Sequence, residues 1–227
     1  MPVITIRGQY GSWSGEIGKL IAHKLNIDYV DREIIAGVAE RLRRPSTSIE
    51  EKETPPSTLL GRISEAMAQT AYLGDNISVG IYSPLYEIPL NDTHYRAGLE
   101  YVIRDLAGTH SIVIRGRGSQ FILKDFPGAF HVLIVAPIEV RVRRIMESMK
   151  VTEDAARKQI ARVDNGSREF VKRYFRANIA DPVNYDIVVN TNHISIERAA
   201  SIVVDALPRL SDQGKGQRDT ISASDRS

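Results

Sequence analysis

The chain has 227 residues, long enough for one large domain or a core with a small lid. Thirty Lys and Arg residues against 28 Asp and Glu leave a net charge of +2, so bulk charge demands neither nucleic acid nor a membrane as partner. The absence of cysteine excludes disulfides, thiolate catalysis and Cys-based metal sites. The five histidines form no H-E-x-x-H type cluster, and no apolar run approaches the roughly 20 residues of a spanning helix. With no basic segment followed by an apolar core at the start of the chain, the expected compartment is the cytoplasm.

Val3, Ile4 and Ile6 predict a buried strand, followed by a turn punctuated by Gly8, Gly11 and Gly15. Ile17, Leu20, Ile21 and Leu25 then recur at helical spacing. Strand, glycine loop and helix start make an anion cradle, because the first amides of a helix are unpaired and carry partial positive charge. A complete phosphate loop reads G-x-x-x-x-G-K-[ST], with the lysine on the phosphates. Here Trp13, Ser14 and Glu16 stand where Gly, Lys and Thr are expected, so the frame is present and its cation is missing.

Ile27, Tyr29 and Val30 predict a second strand ending at Asp31-Arg32, and residues 31–44 a helix. Asp31 reads equally as a helix N-cap and as a carboxylate that accepts a proton, orders a metal-bound water or orients an arginine. Prolines at 45, 55 and 56 interrupt the chain, residues 59–71 carry a helical pattern, and 76–88 are mixed. A helix over 93–107 with Asp92 as its cap leads to a strand over Ser111–Ile114, then Arg115-Gly116-Arg117-Gly118. A short helix at 121–123 is followed by a strand over Phe130–Val135 and a helix from Pro137 to about Lys150. Thr152 caps a long helix to about Phe175, residues 186–190 form a last strand, and Ser195 caps a helix through Leu207. The tail from 211 to 227 is polar, aperiodic and expected to be disordered.

Short, wholly apolar strands alternating with helices indicate a parallel sheet covered on both faces, with ligands beyond the carboxyl ends of its strands. Four stretches fall at such ends: 7–15, Asp31-Arg32, 115–118 and the Ala136-Pro137 turn. Arginines follow at 115, 117, 141, 143, 144, 157, 162 and 168. Guanidinium forks suit phosphate, and phosphoryl transfer is mainly positioning plus charge stabilisation. For any single helix arginine a solvated face is the alternative, whereas a Gly-Arg-Gly at a strand end has no obvious surface role. The single Trp13 either stacks on a base or plugs the loop. Glu16 either complements the helix dipole or serves as a metal ligand in place of the threonine hydroxyl.

Taken together, VITIRGQYGS…GEIGKLIAHKL, IDYVDREII, IVIRGRGSQFIL, VLIVAPIEVRVRRIMES and DNGSREFVKRYF followed by DPVNYDIVVNT resemble the cytidylate kinase-like family. This is a branch of the P-loop nucleoside monophosphate kinases. The resemblance covers 3–44 and 111–207 and implies an α/β, three-layer P-loop kinase-like fold. It implies a five-stranded parallel sheet with a helical lid and acceptor region. The expected organisation is one domain over 1–210, with a core of 1–44 and 108–210 and an acceptor or lid-type insertion at 45–107, the latter also a homodimer surface.

The resemblance further implies ATP as donor, Mg²⁺, and a (d)CMP-type acceptor. Gly8, Gly11, Ser12, Trp13, Ser14, Gly15 and Glu16 then form the phosphate-facing loop, with Glu16 as the candidate metal ligand. Asp31, Arg32, Arg115 and Arg117 face the acceptor. Arg117, Arg141, Arg144 and Arg168 act on the transferring phosphoryl group. Three positions depart from the pattern: Ser14 for the lysine of true cytidylate kinases, which many members of this looser family also lack, Trp13 for the usual glycine, and Gly118 for the acidic residue of true cytidylate kinases. They support the alternative of a nucleotide-binding or assembly protein without catalysis. A nucleic-acid binder using the basic helices is the weaker third reading, since no helix-turn-helix or aromatic RNA-binding signature accompanies them.

Overall fold

A computed structural model describes residues 2–31 and 93–208. Expectations at 32–92, among them Arg32 and most of the insertion, and those for the tail lie outside the described residues. In chain order the elements are β1 (Val3–Gly8), α1 (Ser14–Leu25), β2 (Asp28–Val30), α2 (Thr93–Thr109), β3 (Ile112–Arg115) and α3 (Ser119–Ile122). They continue with β4 (Ala129–Val135), α4 (Ile138–Met149), α5 (Glu153–Phe175), a 3₁₀ turn (Pro182–Asn184), β5 (Ile187–Asn190) and α6 (Ile196–Ala206).

The five strands form one sheet in the order β2-β3-β1-β4-β5, with every pairing parallel. The expected five-stranded parallel sheet is therefore present. β1 is its centre: Ile6 is level with Arg115 on one side and Val132 on the other. Because the chain goes to β2 and β3 on one side and to β4 and β5 on the other, the order reverses at β1. Such a reversal opens a crevice at the carboxyl ends of the strands.

Strand alternation sorts β1 onto two faces. Val3 joins Val30, Leu99, Val102, Ile103, Leu106 and Leu123 under α2, α3 and the end of α5. Ile4 and Ile6 join Ile17, Ile21, Val132, Ile134, Val189 and Val203 under α1 and α6. Parallel strands covered on both faces explain why Val3, Ile4 and Ile6 are all 1% exposed or less. The α4–α5 pair has its own small core, Val142, Ile145, Ala156 and Ile160, against which Tyr10 of the glycine loop packs. Helix starts follow the sequence signals: Thr152 accepts from Ala155 N and Ser195 from Arg198 N.

His131, inside β4, shares a hydrogen bond with Thr5 Oγ1 (2.8 Å), and its backbone is bracketed by Asp186 (2.7 and 2.8 Å). Burial lowers its pKa, against the opposing pull of Asp186 and a hydrogen bond to the Leu123 backbone. The unfolded chain therefore takes up this proton at higher pH than the folded one. His131's contribution to stability is whole above its unfolded pKa of about 6.5 and is lost as pH falls from there through the folded value. Denaturant unfolding of wild type and His131→Gln between pH 7.5 and 5 should show the variant losing less stability on acidification; equal slopes would contradict this assignment.

Candidate functional site

The turn between β1 and α1 sits at the sheet's reversal point. Its first constraint is steric. A Cβ on Gly8 would lie 2.2 Å from the Ser14 Cβ and 2.8 Å from Ser12 Oγ, so only glycine lets residue 14 fold back over the strand end. Gly11 adopts φ +82 and Trp13 φ 67, the latter as N-cap of α1 with no capping side chain. Left-handed backbone at Trp13 meets the geometry for which glycine is the usual residue, at a cost of about 1–2 kcal/mol.

The loop's carbonyls are held from one side. Arg141 donates from one guanidinium nitrogen to Tyr10 O (3.2 Å), Arg144 donates to Gly11 O (3.3 Å), and Thr191 Oγ1 lies 3.2 Å from Ser12 O. Three successive carbonyls thus point toward α4 and the end of β5. In a trans peptide the N–H points opposite to the preceding C=O, so the Gly11 and Trp13 amides face away from those donors. The Ser12 amide closes the turn on Gln9 O (3.0 Å), and the first helical bond runs from Ile17 N to Trp13 O. The amides of Ser14, Gly15 and Glu16 open the helix without a side-chain cap. Ser12 Oγ is fully buried and has no hydrogen-bond partner. Uncapped amides, an unpaired buried hydroxyl and outward-turned carbonyls make a cradle for an anion.

Arg141 and Arg144, expected to act on the phosphoryl group, lie on the carbonyl side of this loop. Arg141 is only 7% exposed; it donates from Nε to Ala136 O (3.0 Å) and pairs with Asp164 (2.6 Å). Asp164 also accepts from the Tyr10 amide (3.0 Å), so one buried ion pair grips the loop by both a carbonyl and an amide. Gln9 reaches across to the Ala136 amide (3.1 Å). Arg144 donates to Thr191 O (2.6 Å) and Thr191 Oγ1 (3.0 Å), and its guanidinium carbon sits 3.2 Å from the centroid of the Trp13 ring. Burial lowers the Arg144 pKa, opposed by the Glu16 carboxylate, with Arg143 adding to the lowering. Arg168 is exposed on α5 and donates to Asn165 (2.8 Å), away from this bracket.

The opposite flank of the loop belongs to β2 and β3. One guanidinium nitrogen of Arg115 reaches both Asp31 oxygens (3.0 and 2.8 Å), and Tyr29 OH donates to the same carboxylate (3.0 Å). The Arg115 group lies flat on the first turn of α1: a Cβ on Gly15 would be 3.5 to 3.7 Å from its carbon and two nitrogens. Asp31 thus orients an arginine, one of its two readings; the expected helix that it would cap lies outside the described residues. The next three residues, Gly116 (φ 81), Arg117 (φ 53) and Gly118 (φ 71), are all left-handed. A Cβ on Gly118 would lie 2.2 Å from the Phe175 ring, which stacks on Phe121 at 5.3 Å. The absence of an acidic side chain at 118 therefore has a packing cause. Arg117, half-buried, is held between two glycines in a conformation that non-glycine residues avoid; such strain concentrates at functional sites.

A family model described as the cytidylate kinase-like family matches residues 3–193. The chain belongs to the cytidylate kinase-like family. A cytidylate kinase from Sulfolobus acidocaldarius is 24% identical over 207 residues, covering 91% of this chain and 94% of that protein. A solved structure, an uncharacterized protein from Eubacterium ventriosum, superposes with a TM-score of 0.65 at 18% identity, over 91% of this chain and 98% of that one, and shows a shared fold. A uronate isomerase from Corynebacterium glutamicum is 31% identical over 97 residues; the match spans 43% of this chain and only 19% of that enzyme.

The residues fit the phosphate part of a nucleotide: uncapped first-turn amides and the unpaired Ser12 hydroxyl are what a polyphosphate needs. For the metal the fit is thinner. Among the described residues no group of three or more His, Asp or Glu could hold an ion. Magnesium bound with a nucleotide keeps several waters and needs only one or two carboxylates, and Glu16, exposed in the first turn of α1, is placed to be one. Asp164, Gln9 and Thr191 were not marked by the sequence pattern. Asp164 lies within the DNGSREF segment and Thr191 directly after the last strand, the two signals that could have found them. No helix among the described residues is long and apolar enough to cross a membrane.

Proposed function

We propose that this chain is an ATP-dependent nucleotide kinase that transfers a phosphoryl group to a nucleoside monophosphate of (d)CMP type. The observation that carries the reading is the loop whose three carbonyls are turned outward, leaving the Gly11 and Trp13 amides and the α1 N-terminus for an anion. ATP supplies the phosphoryl group, and Mg²⁺ spreads its charge. Gly8, Gly11, Ser12, Ser14 and Gly15 hold the polyphosphate through backbone amides and the Ser12 hydroxyl, with Glu16 toward the metal. The acceptor lies on the β2–β3 flank. There Asp31 fixes the Arg115 guanidinium, and Arg117 neutralises acceptor phosphate and the charge that develops during in-line transfer. In this reading the reaction takes place in the cytoplasm, where ATP and nucleoside monophosphates meet.

The second reading, nucleotide binding without transfer, rests on Ser14: the loop contributes no cation of its own. Two measurements separate the readings. Calorimetry with ATP·Mg²⁺ reports binding, and incubation with CMP, dCMP, UMP, AMP and GMP reports diphosphate formed. The kinase reading expects both binding and transfer, with CMP or dCMP preferred. Binding without transfer to any of the five would overturn it in favour of the second.

A further inference from the structure

The loop has no lysine at position 14, yet its conformation is fully supported, and the support comes from a cation on another element. The Arg144 guanidinium engages the turn in two ways, by a hydrogen bond to Gly11 O and by lying against the Trp13 ring at 3.2 Å. It is fixed from behind by Thr191 O (2.6 Å) and Oγ1 (3.0 Å), and that buried hydroxyl also lies within reach of Ser12 O and Val135 O (both 3.2 Å). Trp13, at φ 67, occupies a position that favours glycine. A large ring retained there has a partner that a glycine would lack: the planar guanidinium face, on which an aromatic ring stacks.

We propose that Arg144, locked against Trp13, is a positioning residue that replaces the organising charge of the absent loop lysine. It places that charge on the carbonyl side of the turn rather than among the phosphates. Drawing the Gly11 carbonyl toward α4 sets its peptide so that the Ser12 amide closes the turn on Gln9 O (3.0 Å), which holds the neighbouring Gly11 and Trp13 amides facing away from α4, toward the anion. Trp13 is the second half of the device: it fills the glycine position and orients the guanidinium by its face. This inference rests on the reading of the loop as a nucleotide phosphate site. It differs from a clamp on the transferring group, since both terminal guanidinium nitrogens of Arg144 are already engaged, one on Gly11 O and Thr191 Oγ1 and the other on Thr191 O.

The test is ATP·Mg²⁺ binding by calorimetry, with melting temperature recorded for each variant and the single tryptophan as an internal reporter. Arg144→Ala should weaken binding by about tenfold or more and shift Trp13 emission in the ligand-free protein. Arg144→Lys, which keeps the charge but loses the planar face and fork, should remain within about twofold of the alanine variant. Ser14→Lys added to Arg144→Ala should restore most of the lost affinity, which a merely structural role for Arg144 does not allow. If Arg144→Ala does not fold, Arg144→Gln takes its place in the same comparison. Wild-type affinity in the Arg144 variant overturns the inference and leaves the kinase reading standing. So does weakened binding that Ser14→Lys fails to relieve. No binding by the wild-type chain overturns both.

Discussion

Arg117→Gly should abolish most turnover while leaving the fold intact or slightly firmer. The residue sits at φ 53 between two left-handed glycines. Left-handed backbone costs a non-glycine residue about 1–2 kcal/mol, and glycine's greater freedom in the unfolded chain gives back about 0.5–1 kcal/mol of that. The net backbone effect on stability is thus between neutral and a gain of about 1.5 kcal/mol. On turnover the expected loss is on the order of 10² or more, the scale seen when one preorganised donor to developing charge is removed. Steady-state phosphoryl transfer and thermal unfolding measured on the same preparation check both halves. A variant with normal turnover would remove Arg117 from the site. A variant that is strongly destabilised would show that the side chain is kept for packing.

Asp164→Ala should be the most destabilising single change in the site. Its partner Arg141 is 7% exposed, and the same carboxylate holds the Tyr10 amide. Removing one member of a buried pair leaves an uncompensated charge, which costs about 3–5 kcal/mol. At about 2–4 °C per kcal/mol for a protein of this size, the melting temperature should fall by roughly 10 °C. Because the pair also positions the loop, ATP affinity should fall with it. Replacing both partners with Asp164→Leu and Arg141→Met should recover part of the stability but none of the affinity. Full stability in Asp164→Ala would contradict the bracket described around the loop.

The layout of the fold was largely legible because local signals and the buried parallel sheet agree. Val3–Ile6, Ile112–Ile114 and Val132–Ile134 read as strands because both faces are covered, and Thr152 and Ser195 marked helix starts by chemistry that acts within one turn. What was not legible depends on partners far apart in sequence. Gly118 gives no sign that the Phe175 ring occupies its Cβ space. Trp13 and Arg117 hide left-handed backbone behind side chains that normally avoid it. Arg141 and Arg144 read as members of a basic run, whereas one is buried on Asp164 and the other on Thr191 and an indole. Basic residues on a helix look alike until the fold decides which of them face a carbonyl, and here that decision separates loop supports from the exposed Arg168.

In the proposed kinase reading, the loop after β1 presents ATP to an acceptor on the β2–β3 flank despite Ser14. The most direct measurement is transfer of label from ATP labelled on its γ-phosphate to CMP or dCMP, by wild type and Arg117→Gly side by side. Wild type should form labelled nucleoside diphosphate, and the variant should lose transfer by a factor on the order of 10² or more. Label that stays on ATP in both reactions, under conditions where the wild-type chain binds ATP, would contradict the kinase reading.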